Sequence, residues 1–307
     1  MSGEGSSTST EGTREWRPPA AGVSVRAHRV RHDLARAAPN RLVAGRYRVS
    51  ALLGAGGMGA VWLAHDDVLR RAVALKLVVG RRHDDEGPNA MREARAAACV
   101  THPNVVRVYD VVLGDDGDWI VMEALRGKPL STIIRERGRL PVDEVAQIAL
   151  QLLSALQAIH DADLVHRDVK PGNVLLCDAD RVVLSDFGLS SPRRVWGGLR
   201  VGAIAGSPPY LAPESIIDGR YGPASDLYAL GVTLYRAVEG RQPFDPGTPM
   251  TLESIVSREP EPTRHAGFLG ELLDGLLDRD PARRMDAASA RTELQSIEPV
   301  TPLAWAG

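Results

Sequence analysis

Over residues 46–53 (RYRVSALL) apolar and polar positions alternate with the period of two expected of a half-buried strand. The same alternation returns over 60–64 and 72–79. Residues 87–100 (GPNAMREARAAACV) are Ala-rich with Pro88 near the start, which predicts a helix. Two apolar strands are predicted next, over 105–113 and 119–122. Beyond Leu130 the period lengthens. Val145, Ile148, Ala149, Leu152, Leu156 and Ile159 recur at the spacing of one helix face over 143–159. Further helices are predicted over 224–239, 250–257, 268–277 and 286–297, separated by Pro and Gly clusters, and no internal repeat is visible. The pattern is therefore α+β: a small sheet with one helix, then a larger helical part.

The two ends differ from this body. Residues 1–13 are almost all Gly, Ser, Thr and Glu, which cannot bury a core, and 14–41 are Arg-rich. Residues 1–44 are expected to be a flexible leader, or else a docking or autophosphorylation arm, and 298–307 a short tail whose Trp305 packs on the domain surface. The chain has 307 residues, 44% hydrophobic and 25% charged, with a net charge of −2. That balance fits a globular domain and gives no case for nucleic-acid binding. No run of about 20 apolar residues predicts a membrane span, and the N-terminus lacks the apolar stretch of a secretory signal. Cys99 and Cys177, the only cysteines, sit in apolar segments and are expected to be buried free thiols in a reducing cytoplasm.

Chemistry concentrates in a few places. Gly54, Gly56 and Gly59 fit G-x-G-x-x-G, a spacing shared with dinucleotide folds. A dinucleotide site needs a helix straight after the glycines, whereas Ala60-Val61-Trp62-Leu63-Ala64 alternates like a strand. A glycine hairpin between strands makes instead a lid whose N–H groups cover nucleotide phosphates, and no Gly-Lys-Ser/Thr follows to make a Walker loop. Downstream, Lys76 in the apolar run VALK can reach those phosphates. It needs an acidic partner, and Glu93 on the predicted helix is better placed than Glu86, which lies before it. In VHRDVKPGNVLL, Asp168 would accept or orient a substrate hydroxyl, Lys170 would neutralise a moving phosphoryl group, and Asn173 would hold Mg2+. Asp186 would be the second metal ligand, since hard oxygens suit that ion. Glu214 is expected to be buried and bidentately paired with Arg284.

The ordered set GAGGMGAV, VALK, Glu93, HPNVV, the hinge at Val121-Met122-Glu123, HRDVKPGN, DFG, APE and SDLYALGVTLYRAVEGRQPF resembles the eukaryotic-type (Hanks-type) serine/threonine protein kinases of bacteria, over about residues 45–297. The resemblance implies a two-lobed kinase fold with an ATP cleft between a β-rich N-lobe, about 45–123, and a helical C-lobe, about 126–297. It implies transfer of the γ-phosphate of Mg·ATP, with Mn2+ able to substitute, to Ser/Thr hydroxyls of proteins, with autophosphorylation. By the same resemblance Leu53, Gly54, Ala55, Gly56, Gly57, Met58 and Gly59 cover the nucleotide. Val61 and Ala74 roof the adenine and Leu175 lies beneath it. Met122 is the gatekeeper, and Glu123 and Leu125 bond adenine through their backbone. Asp226 would brace the HRD backbone, and His166 and Phe187 would stack in the internal spine.

Two positions depart from the usual pattern: Ser207 replaces Thr, keeping its hydroxyl near Asp168 and Lys170, and Ala124 replaces an aromatic. Residues 192–206 contain no Ser, Thr or Tyr, so the phosphate that would ordinarily meet Arg167 has no residue to carry it. The motifs separate this reading from its rivals. A binding scaffold with a dead site would lack Lys76, Asp168, Asn173 or Asp186, and small-molecule kinases usually lack the glycine lid and Ala-Pro-Glu.

Overall fold

A computed structural model describes residues 40–56, 59–78, 98–114, 117–186, 191–192, 207–244 and 252–296. The leader up to residue 39, Gly57, Met58, Glu93, Phe187, residues 193–206 and the tail lie outside that set, as does all but the end of the predicted 87–100 helix.

The first part is one antiparallel sheet in the order β1-β2-β3-β4-β6-β5. Its strands are β1 (Leu42–Val43), β2 (Tyr47–Gly56), β3 (Gly59–Asp66), β4 (Arg71–Val78), β5 (Val108–Gly114) and β6 (Gly117–Glu123). The alternation seen in the sequence sorts the two faces. Val49, Trp62, Ala64, Val73, Leu75, Leu77, Trp119 and Val121 form one buried cluster. The cross-strand register sets Val61 and Ile120 beside Lys76, and Met122 beside Ala74, on the opposite face.

The second part is built on helices: α1 (Leu130–Arg137), α2 (Val142–Asp161), α3 (Pro213–Ile217), α4 (Pro223–Glu239), α5 (Leu252–Ser257), α6 (Gly270–Leu276) and α7 (Ala287–Ser296). Short strands β7 (Gly127–Pro129), β9 (Val174–Cys177) and β10 (Val182–Leu184) form a second sheet, and β8 (Leu164–Val165) pairs with β11 (Ser191–Pro192). The central helix α4 is buried on nearly all sides, as its apolar sequence dictates, with Pro223 at its start and Gly240 at its end. Gly240 has φ 75°, and a Cβ there would meet the Gly138 carbonyl oxygen at 2.6 Å, so only glycine fits this stop. Among the described residues no helix is long and apolar enough to cross a membrane.

Three expectations change. The strand predicted from 105 begins at Val108; Val105 instead makes a lone parallel bridge to Leu184, and Val105 and Val106 join the core of the helical part. The helix predicted over 268–277 opens with a 3-10 turn at Gly267–Leu269, and α6 follows it. Cys99 is exposed whereas Cys177 is buried. The helix end at 98–99 faces outward, and Val100 takes the inward position.

Candidate active site

The two parts meet at a cavity of about 300 Å³. Of the expected nucleotide residues, Leu53, Gly54, Val61, Ala74, Lys76, Met122, Glu123, Leu125 and Leu175 line it, together with Asn173 and Asp186. Its walls are mainly apolar, with Lys76, Glu123, Asn173, Ser185 and Asp186 as the polar residues among them, the mix expected of a small-molecule site. Sequence reading missed Val106, Val108, Ile120, Gly127, Pro129, Gly172 and Ser185, which also line the cavity. Strand alternation could have found Ile120, two positions before Met122 on the same face. Gly127 pairs with Cys177 where β7 runs antiparallel to β9, and a Cβ there would meet the Leu176 carbonyl oxygen at 2.5 Å. Glu123 donates its N–H to the Arg107 carbonyl at 2.9 Å.

Lys76, 5% exposed, pairs with Asp186 across the cleft. Burial alone would raise the Asp186 carboxyl, but the Lys76 ammonium outweighs it and holds the group below the usual carboxylate range. Asp186 sits two residues beyond β10 with φ 71°, and Arg167 has φ 68°; left-handed backbone at non-glycine positions costs energy and clusters at functional sites. Glu93, the expected partner of Lys76, lies outside the described residues.

The loop between β8 and β9 carries Asp168, which is 3% exposed. Its Oδ2 accepts from Lys170 Nζ at 2.6 Å and from Asn173 Nδ2 at 2.8 Å, and its Oδ1 accepts from Ser207 Oγ at 3.1 Å. Lys170 also donates to Ser207 Oγ at 2.7 Å, so Ser207 fills the expected place with its hydroxyl. The amide nitrogen of Asn173 is committed to Asp168, which leaves the amide oxygen as the side available to a cation.

Asp226, at the start of α4, holds this loop from below. It accepts the N–H of His166 at Oδ2 and of Arg167 at Oδ1, both at 2.8 Å, and His160 Nε2 lies 2.8 Å from Oδ2. The backbone bonds match the sequence expectation; the His160 contact does not appear in it. His166 accepts from the Asp168 N–H at Nδ1, so its Nε2 carries the proton and donates to the Ser185 carbonyl at 3.2 Å. Burial lowers the His166 pKa and keeps the ring neutral. Arg167 rests over the Tyr221 ring, 5.2 Å from its centroid. Farther down, Arg284 and Glu214 form the expected bidentate pair at 2.7 and 3.0 Å.

Among the described residues no group of three or more His, Cys, Asp or Glu could hold a metal alone. Asn173 and Asp186 offer two hard oxygen donors at the cleft, a donor set that fits a hard divalent cation.

The sequence matches the family model described as protein kinase domain over residues 47–294. It is 36% identical over 252 residues to serine/threonine-protein kinase PknA of Mycobacterium tuberculosis, covering 79% of this chain and 58% of the relative. With serine/threonine-protein kinase PksC of Streptomyces coelicolor it shares 36% over 274 residues, 83% of this chain and 49% of that one. With serine/threonine-protein kinase PrkC of Bacillus subtilis it shares 32% over 257 residues, 80% and 39%. The chain thus spans about half the length of the curated relatives it matches.

Proposed function

Because this chain belongs to the protein kinase family, we propose that it is a serine/threonine protein kinase, transferring the γ-phosphate of Mg·ATP to a Ser or Thr hydroxyl of a protein. The observation that carries this reading is the Asp168–Lys170–Asn173–Ser207 network beside a cleft that also holds Lys76 and Asp186.

In this reading the catalytic roles fall to Asp168, Lys170, Lys76 and Glu93. Asp168 orients the acceptor hydroxyl and takes its proton. Lys170, bonded to both Asp168 and Ser207, places a positive charge beside the transferred group. Lys76 is the cation for the phosphates of the bound nucleotide, and Asn173 and Asp186 are the metal ligands. Magnesium, when bound, supplies neutralisation of the phosphate charge; Mn2+ can replace it. Transfer through a loose transition state asks mainly for positioning and charge, which this rigid network provides. The adenine is held between Val61 and Ala74 above and Leu175 below, next to Met122 and the backbone of Glu123 and Leu125. The catalytic domain takes in the expected residues 45–297 and, before them, β1 (Leu42–Val43), which pairs with β2; it is split into lobes near 123–126, and the Ser/Thr-rich leader is a site of self-phosphorylation, favoured by its tethering to the domain.

Labelled ATP with a generic protein acceptor tests this. Label is expected on Ser and Thr, lost with EDTA and restored by Mg2+ or Mn2+. Transfer that continues without metal, or label only on small molecules, would contradict it.

A further inference from the structure

Glu123 closes β6 at the cleft wall, and one arginine from the opposite part grips its carboxylate. Arg181 Nη1 donates to Oε1 at 2.7 Å and Nη2 to Oε2 at 3.2 Å. The third donor of the same guanidinium, Nε, goes to the Pro103 carbonyl at 2.7 Å. A planar fork therefore ties together three segments far apart in sequence: the end of β6, the chain just before Val105 and the β9–β10 turn.

The base of that fork is itself fixed. Ala179 and Asp180 have φ of 55° and 56°, two successive left-handed residues of the kind a tight hairpin turn requires. The Cys177 N–H donates to the Arg181 carbonyl at 2.8 Å, which locks Arg181 in register with β9. Gln151 of α2 flanks it on both sides, donating to the Asp180 carbonyl and accepting from the Val182 N–H, each at 2.8 Å. Strand β9 also carries Leu175, the floor of the cleft, while Glu123 and Leu125 form its edge. The guanidinium thus joins the floor strand to the edge.

We propose that Arg181 is a positioning residue for the nucleotide: by clamping the Glu123 carboxylate and the Pro103 carbonyl to the β9–β10 turn, it fixes the gap between the edge and the floor of the cleft. The inference rests on the reading of the cleft as an ATP site. Arg181 touches neither Asp168 nor Lys170, so its loss acts on nucleotide affinity and not on the chemical step.

The test compares the wild-type chain with Arg181→Met, which keeps the aliphatic stem, with Arg181→Lys, with Glu123→Gln and with the Arg181→Met/Glu123→Gln double variant. ATP dissociation constants come from calorimetric titration, and KM and kcat from the labelled-ATP assay. Arg181→Met is expected to raise Kd and KM for ATP about two- to fivefold, with kcat changed less than about twofold. Arg181→Lys, which restores the charge without the fork, falls between. The double variant is no weaker than Arg181→Met alone, because the clamp is already open. An Arg181→Met protein that melts earlier yet binds ATP like the wild type would reduce the arginine to a structural brace and overturn the proposal. Should Arg181→Met fail to fold, Glu123→Gln carries the test: a Kd equal to that of the wild type overturns it. A wild-type chain that binds no ATP would instead defeat the underlying reading of the cleft.

Discussion

Replacing Asp226 by Asn keeps the shape of a side chain that is 1% exposed and changes only its hydrogen-bond chemistry. The carboxylate meets three donors with two oxygens: the N–H groups of His166 and Arg167 and the His160 ring. An amide has one oxygen. With that oxygen at the Oδ2 position, its NH2 faces the Arg167 N–H at a site where the bond is now 2.8 Å; flipped, it faces both histidines. At least one buried backbone donor loses its acceptor, at a cost of about 1–3 kcal/mol, and the bonds that survive lose the strength a full negative charge gives them. The sum is about 2–4 kcal/mol. For a domain of this size that lowers the melting temperature by roughly 5–15 °C. The freed backbone leads directly into Asp168, so kcat should fall at least about tenfold, because misplacement by an ångström is enough for such a loss. Urea unfolding and labelled-ATP kinetics on the same preparations measure both. A variant within about 0.5 kcal/mol of wild type and equally active would refute the claim that this carboxylate organises the loop.

Arg284→Met should be among the most destabilising single changes, at about 3–5 kcal/mol, because it strands the buried Glu214 carboxylate and three backbone carbonyls that Arg284 serves. Urea midpoints would show it, and a loss under about 1 kcal/mol would contradict it. Acid should weaken the fold in two stages of the same sign. Burial lowers the pKa of both His166 and His102 below the ordinary 6.5, so the unfolded chain takes up those protons first and stability falls as pH drops below about 6.5. For Asp226, burial alone would raise the carboxyl, but the hydrogen bonds from His160 and from the Arg167 N–H outweigh that and hold it low; Asp186 is held low by Lys76. Their contributions are therefore complete above about pH 4 and are lost as pH falls further. Urea midpoints at pH 7.5, 5.5 and 3.5 test this, and a midpoint that rises on going from 7.5 to 5.5 would refute it.

What could be read in the sequence was whatever repeats or lies close together. The roof of the cleft was legible only through the family resemblance, which names Val61 and Ala74; the strand register sets both on one face with Lys76. The Asp168–Lys170–Asn173 cluster was legible because the three residues lie within one short run. The Glu214–Arg284 pair was legible because a buried carboxylate calls for a guanidinium. The contact between His160 and Asp226, 66 residues apart, and that between Arg181 and Glu123, 58 apart, have no local signature: a clamping arginine reads like any solvated one. Val105 and Val106 read as strand in the sequence because an apolar linker through a core and a buried strand share one pattern. The strands β8 and β11 contain two residues each, too few to show a period at all.

The central claim stands on Asp168, and Asp168→Asn tests it most directly. The amide keeps the volume and leaves the hinge, Lys76 and Asp186 untouched, and Asn173 keeps its bond to the backbone carbonyl of residue 168, so ATP should bind within a few-fold of the wild-type affinity. Transfer to a protein hydroxyl should fall by about 10²–10⁴, the usual worth of a positioned acid–base group. Single-turnover transfer of the labelled γ-phosphate, measured beside ATP binding, separates the two. Lost transfer with retained binding is the expected result. Near wild-type transfer would show that this cleft does not use Asp168 to move a phosphoryl group.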